Sequence, residues 1–220
     1  MVYSQPELGK KHNAIGLRTS MERDYYKRPF DLLILLAAHL FLFPIFLILW
    51  VVIPLAIWME DRGPVFYSQL RVGKNGKIFK LFKFRSMVPN AEDLTGPIWA
   101  LEDDHRITKV GEFLRKRALD ELPQVINLIR GDLSLVGPRP ERPALLEEIR
   151  LYLPSYDYRL SVRPGLTGFA QVHGRYRTRP KHKLIYDRFY ISKMNPILDI
   201  RLLTFSVIYT IKARWQENEK

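Results

Sequence analysis

Cysteine is absent from the 220 residues, which excludes disulfides and thiolate metal sites and fits a reducing compartment. Low-complexity tracts and internal repeats are absent too, so the chain reads as an ordinary globular sequence. A chain of this length buries one real core and is most simply one domain. Acidic residues are in deficit: 23 Asp and Glu face 35 Lys and Arg, a formal charge of +12. That excess attracts anionic partners, whether nucleic acid, acidic lipid headgroups or phosphorylated substrates, and does not choose among them.

Charge of either sign disappears over residues 32–59, a run of 28 without Asp, Glu, Lys or Arg. A bilayer-spanning helix needs about 20 apolar residues, so the run is long enough to enter a membrane. It starts too late, runs too long and lacks the small-residue cleavage site of a secretory signal peptide. Pro44 stands near its middle, where proline removes a backbone donor and kinks a helix. Two arms of roughly a dozen residues are expected, neither able to cross hydrocarbon alone. Lys27 and Arg28 precede the run, and Arg62, Arg71, Lys74, Lys77, Lys80, Lys83 and Arg85 follow it. Basic flanks stay cytoplasmic, so a re-entrant helix bent at Pro44, with both ends on one face, satisfies both; a straight span would export one.

Residues 1–26 are polar and read as a flexible or surface-lying extension. Residues 64–71 and 77–87 are rich in β-branched and aromatic types around Gly73-Lys74-Asn75-Gly76, a hairpin signal. Residues 107–117 predict a helix with Val110, Phe113 and Leu114 on one face. The next helix has Asp120 as N-cap, Leu122, Val125, Ile126 and Ile129 at helical spacing, and Gly131 as its stop. Pro123 falls in its first turn, where a missing donor costs little. Residues 143–153 and 181–193 predict amphipathic helices. Residues 196–215 predict a last one with Ile197, Ile200, Leu203, Val207 and Ile211 in a stripe. Its end, with Tyr209, Lys212, Arg214 and Trp215, suits either a bilayer interface or packing on the core.

Leu119-Asp120-Glu121-Leu122-Pro123-Gln124 sets two carboxylates side by side at a helix start. The simplest role is structural, Asp120 capping the helix and Glu121 complementing its dipole. Their company points further. Arg115, Lys116 and Arg117 lie just before them, and a helix N-terminus also attracts phosphate. A carboxylate among cations stays ionised and can attack phosphorus, while its neighbour could hold magnesium on a diphosphate. Arg139, between Pro138 and Pro140, and Arg163, before Pro164-Gly165, are arginines on preset backbone, suited to bidentate phosphate contacts.

Taken in order, Lys83-Phe84-Arg85-Ser86-Met87, residues 119–124, residues 131–140 and residues 163–172 give the chain a close resemblance to the bacterial sugar transferases, the monotopic phosphoglycosyl transferases. The likeness covers residues 27 to about 211. It implies an α+β, mostly helical fold: an N-terminal extension (1–26), a re-entrant membrane helix (27–60) and a small catalytic domain (61–220) with a β-hairpin and amphipathic interfacial helices. It implies placement at the bacterial inner membrane, with the catalytic domain on the cytoplasmic face. The implied reaction is a Mg2+-dependent, two-step transfer of a hexose 1-phosphate from a UDP-sugar to polyprenyl (undecaprenyl) phosphate, in exopolysaccharide, capsule, O-antigen or glycoprotein glycan synthesis. Asp120 would be the nucleophile, forming a covalent phosphosugar and expelling UMP, and Glu121 would assist through the metal. Lys83, Arg85, Arg115, Arg139, Arg163 and Asp199 complete the expected substrate-binding set.

Phe169 departs from the Trp or Leu common after Thr-Gly in the family, residues 1–26 exceed its minimal core, and the extra membrane bundle of larger members has no room here. A homo-oligomer is left open. The rival readings are a membrane-anchored basic scaffold, which gives Asp120 no role, and a nucleic-acid binder, for which the uncharged run has no use and no recognised motif is present.

Overall fold

The uncharged run folds as two helices rather than one. In the computed structural model, which describes residues 24–91, 104–174 and 178–212, α1 covers Lys27–Phe41 and α2 covers Phe43–Asp61. The break falls at Leu42 (φ −107°, ψ 18°), two residues before the expected bend at Pro44. The reason is local: Pro44 sits in the first turn of α2, where its missing N–H is not needed, and its ring disfavours continuation of the helix before it. Leu42 N still bonds Ala38 O, and Phe46 N bonds Leu42 O, so the interruption is narrow. The His39 and Phe46 rings stack across it at 4.5 Å. The arms are longer than a dozen residues, at 15 and 19, and among the described residues α2 alone has the length and composition to cross a membrane. Leu36, Leu40, Phe41, Phe43 and Ile48 are exposed, so this hairpin is apolar where it meets no protein.

Both ends of the helical hairpin return to one body. At the start of α1, Lys27 Nζ donates to Val136 O and Asp199 Oδ2, each at 2.8 Å, and Arg28 donates to Leu128 O and Ile129 O. At the end of α2, Glu60 accepts from Lys109 N at 2.7 Å and Asp61 pairs with Arg85. Ile53 and Ile57 of α2 pack with Phe84 and Leu114. This is re-entrant geometry; a straight span would part Lys27 from Glu60. Asp24 and Tyr26, at the end of the expected extension, also bond the body; residues 1–23 lie outside the described residues.

β1 (Phe66–Val72) and β2 (Ile78–Phe84) pair antiparallel, joined through Asn75 and Gly76 at φ 55° and 79°, the left-handed pair that the Asn-Gly signal foretells. Phe79 and Leu81 enter the main core, while Phe84 is covered from the other side by the helical hairpin. α3 (Lys109–Lys116), capped by Thr108, leads through a 3-10 turn (Leu119–Gln124) into α4 (Val125–Arg130), which Gly131 ends at φ 80°. β3 (Ser134–Val136) and β4 (Gly165–Thr167) then pair in parallel. This pairing needs glycine: a Cβ on Gly165 would lie 2.1 Å from Gly137 N. α5 (Pro143–Tyr152), α6 (Phe169–His173), α7 (Pro180–Lys193) and α8 (Pro196–Ile211) complete the body.

Several faces differ from the expected core. Phe113 is exposed and lies under the Arg117 guanidinium at 4.3 Å; Ile126 and Ile129 are exposed, while Leu128 is buried in their place. In α8 the stripe of Ile197, Ile200, Val207 and Ile211 faces outward, and Asp199 and Leu202 are the buried side. Periodicity tells which residues share a face, not what that face meets. Arg214 and Trp215 lie outside the described residues.

Candidate active site

A strained turn puts the acidic pair in place. After α3, Ala118 adopts φ 51° and ψ 23°, a left-handed conformation that costs a residue with a Cβ about 1–3 kcal/mol. The chain reverses there and the 3-10 turn begins, so Ala118 rather than Asp120 holds the N-cap position. Asp120 is therefore not the expected cap. It lies within the turn, and its side chain is turned to β2 instead of to the helix's own amides.

Lys83, on β2, reaches both carboxylates: Nζ lies 2.6 Å from Glu121 Oε1 and 3.5 Å from Asp120 Oδ2. Arg139, in the loop after β3, places NH2 2.8 Å from the same Glu121 oxygen. Burial alone would raise the Glu121 carboxyl, but the Arg139 and Lys83 charges more than offset it and hold it well below the ordinary carboxylate range. The two acids thus have different situations. Glu121 is locked by two short charged bonds, whereas Asp120 has, among the described residues, a single contact at the outer limit of a hydrogen bond. A carboxylate with lone pairs to spare, beside cations that can neutralise a phosphoryl group, is equipped to act as a nucleophile.

A small pocket opens at Arg139, lined also by Arg71, Leu81, Gln124, Pro140 and Gly165. Burial, then the nearby Arg139 charge, pulls the Arg71 guanidinium down to about 10. Behind Arg139 lies a cluster of buried charge: Glu141 accepts from Tyr156 OH (2.9 Å), Arg159 NH1 (3.2 Å) and Lys183 Nζ (3.4 Å), and Arg159 Nε donates to Asp187 at 2.6 Å. Burial would raise Glu141, yet Lys183 and Arg159 bring it down to about 2. Sequence reasoning missed this cluster. Glu141 follows Pro-Arg-Pro directly, but Arg159 and Asp187 stand in separate segments with nothing in the sequence to link them.

Of the expected set, the structure joins Lys83, Asp120, Glu121 and Arg139. Arg115 is half-buried on the last turn of α3, where its carbonyl accepts from Ala118 N. The other three go elsewhere. Arg85 pairs with Asp61 against Gly63, and Arg163 bonds Asp24 at 3.2 Å. Asp199 is fully buried, accepting from Lys27, Tyr26 and Tyr190, and so anchors the helical hairpin. Lys27, read as part of a basic flank, is that anchor's other half.

Among the described residues no three His, Asp or Glu cluster as a ready-made metal cage. Two adjacent carboxylates do match magnesium's habit of taking one or two protein oxygens and filling its shell from phosphates and water.

A family model described as bacterial sugar transferase matches residues 22–213. The chain is 39% identical over 190 residues to a UDP-N-acetylgalactosamine-undecaprenyl-phosphate N-acetylgalactosaminephosphotransferase of Aeromonas hydrophila, covering 85% of this chain and 44% of the relative. It is 36% identical over 193 residues to an undecaprenyl-phosphate galactose phosphotransferase of Salmonella typhimurium, covering 81% and 39%. It is 36% identical over 196 residues to the exopolysaccharide production protein ExoY of Sinorhizobium fredii, covering 83% of each. The chain thus spans less than half the length of the first two relatives.

Proposed function

The chain belongs to the bacterial sugar transferase family, and on that footing we propose that it moves a hexose 1-phosphate from a UDP-sugar to polyprenyl phosphate by way of a covalent aspartyl intermediate. The observation that carries this reading is the contrast within the acidic pair: Glu121 is immobilised by short bonds from Lys83 and Arg139, and Asp120 beside it has one long contact, 3.5 Å from Lys83.

In the first step an Asp120 carboxylate oxygen bonds to the sugar-bearing phosphorus as the bond from that phosphorus to the bridging oxygen breaks. UMP departs with the electron pair. Lys83 and Arg139 offset charge on the phosphoryl oxygens, and Glu121, ionised by the same two cations, fixes their positions. In the second step a phosphate oxygen of the polyprenyl acceptor attacks the same phosphorus, releasing Asp120 as a carboxylate and leaving a polyprenyl diphosphate sugar. Glu121 would hold Mg2+, which when bound supplies charge neutralisation on the diphosphate.

The helical hairpin enters the cytoplasmic membrane from the cytoplasmic face, apolar residues in lipid and basic flanks in water, and so brings the acidic pair to the plane where a lipid-borne phosphate lies. The exposed isoleucine stripe of α8 fits the same surface. The names of the relatives make UDP-galactose and UDP-N-acetylgalactosamine the first donors to try, in the opening membrane step of exopolysaccharide or related glycan synthesis. Purified protein in detergent, given Mg2+, polyprenyl phosphate and a panel of UDP-sugars, releases UMP from at least one. Asp120→Asn abolishes that release while remaining membrane-attached. Full turnover by the variant removes the nucleophile assignment, and no turnover in either form favours an anchored scaffold.

A further inference from the structure

The turn that carries Arg139 is gripped at each of its carbonyls. Gly165 N donates to Pro138 O, Arg159 NH2 to Arg139 O, Arg71 NH1 to Pro140 O and Val72 N to Glu141 O, all at 2.9 Å. Prolines on both sides already fix φ. Two of the four donors are main-chain amides, and the other two are guanidinium forks. Arg159 is itself clamped: Nε on Asp187 (2.6 Å), NH1 on Tyr156 OH (2.6 Å) and Glu141 (3.2 Å), with the Tyr156 ring 4.5 Å from its Cζ. Arg159, Glu141 and Asp187 are only 5%, 6% and 1% exposed.

Burying such charges carries a large desolvation cost, and apolar residues of similar volume often serve stability as well or better. Stability alone therefore leaves the charges unexplained. What a locked guanidinium adds here is a donor of fixed direction onto the carbonyl of Arg139, whose own side chain reaches out to Glu121. We propose that Arg159 is a positioning residue that acts through Arg139, aiming its guanidinium at Glu121 and at the phosphate of the nucleotide. The proposal rests on the phosphoryl-transfer reading above. It assigns the buried Glu141–Arg159–Asp187 set the task of keeping Arg159 in one orientation.

The test is a double-mutant cycle on the full chain in nanodiscs. UDP is the probe and affinity is read by titration calorimetry, with the thermal midpoint recorded for every variant. Arg139→Ala weakens UDP roughly ten- to a hundredfold, the loss of one charged hydrogen bond. Arg159→Lys, which keeps the charge but loses the fork, and Asp187→Asn, which loosens the fork from its far side, each weaken UDP about tenfold. Combined with Arg139→Ala, neither weakens it further, because a residue that acts through Arg139 has nothing left to position. Losses that multiply in the double variants overturn the proposal, and so does full affinity in both Arg159→Lys and Asp187→Asn. If Arg159→Lys fails to fold, the isosteric Asp187→Asn carries the same cycle. Unchanged affinity in Arg139→Ala marks a different failure: Arg139 then reads no phosphate, and the positioning role falls with it.

Discussion

Replacing Lys83 with methionine removes one of the two cations that keep Glu121 charged, with little change in side-chain length. What disappears is a 2.6 Å charged hydrogen bond to Glu121 and a 3.5 Å contact to Asp120. A charged hydrogen bond of this kind is worth about 1.5–3 kcal/mol, and 1.36 kcal/mol corresponds to one pH unit of titration. The sign follows from the environment of Glu121, where burial favours the neutral acid and Arg139 with Lys83 more than offset it. A depressed carboxyl keeps its charge until the pH falls through its folded-state value, so with one cation gone the charge is lost at a higher pH. The assay is the titration of the Glu121 carboxyl itself, followed by 13C NMR on glutamate-labelled protein and assigned with Glu121→Gln. Its midpoint moves up by about 1–2 pH units in Lys83→Met, and Arg139→Ala moves it in the same direction. A midpoint that stays in place or moves down refutes the claim that these cations set the charge of Glu121.

Two further outcomes follow from the same structure. Glu141, brought down to about 2 from an ordinary 4.5, contributes stability that is fully present above about 4.5 and lost as pH falls toward 2, worth about 3 kcal/mol. In urea titrations across that window the stability gap between the natural protein and Glu141→Gln closes as pH falls; a gap independent of pH contradicts the ion-pair account. In inverted membrane vesicles, cysteines placed at Tyr25, exposed just ahead of α1, and at Glu60, in a chain that has none of its own, react with an impermeant maleimide from the same side. Opposite accessibility establishes a straight span.

Local chemistry made part of this molecule legible. Asn75-Gly76 announces its hairpin because both residues must adopt positive φ, and residues 32–59 announce a bent membrane segment through their length without charge, Pro44 and the basic flanks. The acidic pair and Arg139 were visible as motifs. The long-range pairings were not. Lys27 and Asp199 meet across 172 positions, and the segments that hold Gly137 and Gly165 lie side by side at the parallel pair β3 and β4, a pairing set by how closely the two glycines approach. Arg85, Arg163 and Asp199 carry charges expected of a binding site, and the fold sets them beside Asp61, Asp24 and Lys27, partners that no motif announces. For Asp120 a cap was the simplest role, and the left-handed turn at Ala118 removes it from that role.

The most direct measurement is mass spectrometry of the protein quenched after exposure to a donor UDP-sugar and Mg2+, with no acceptor present. A hexose phosphate mapped to the Asp120 side chain, discharged on adding polyprenyl phosphate and missing from Asp120→Asn, is the predicted result. UMP release from a chain that carries no adduct, or an adduct on another residue, contradicts the account.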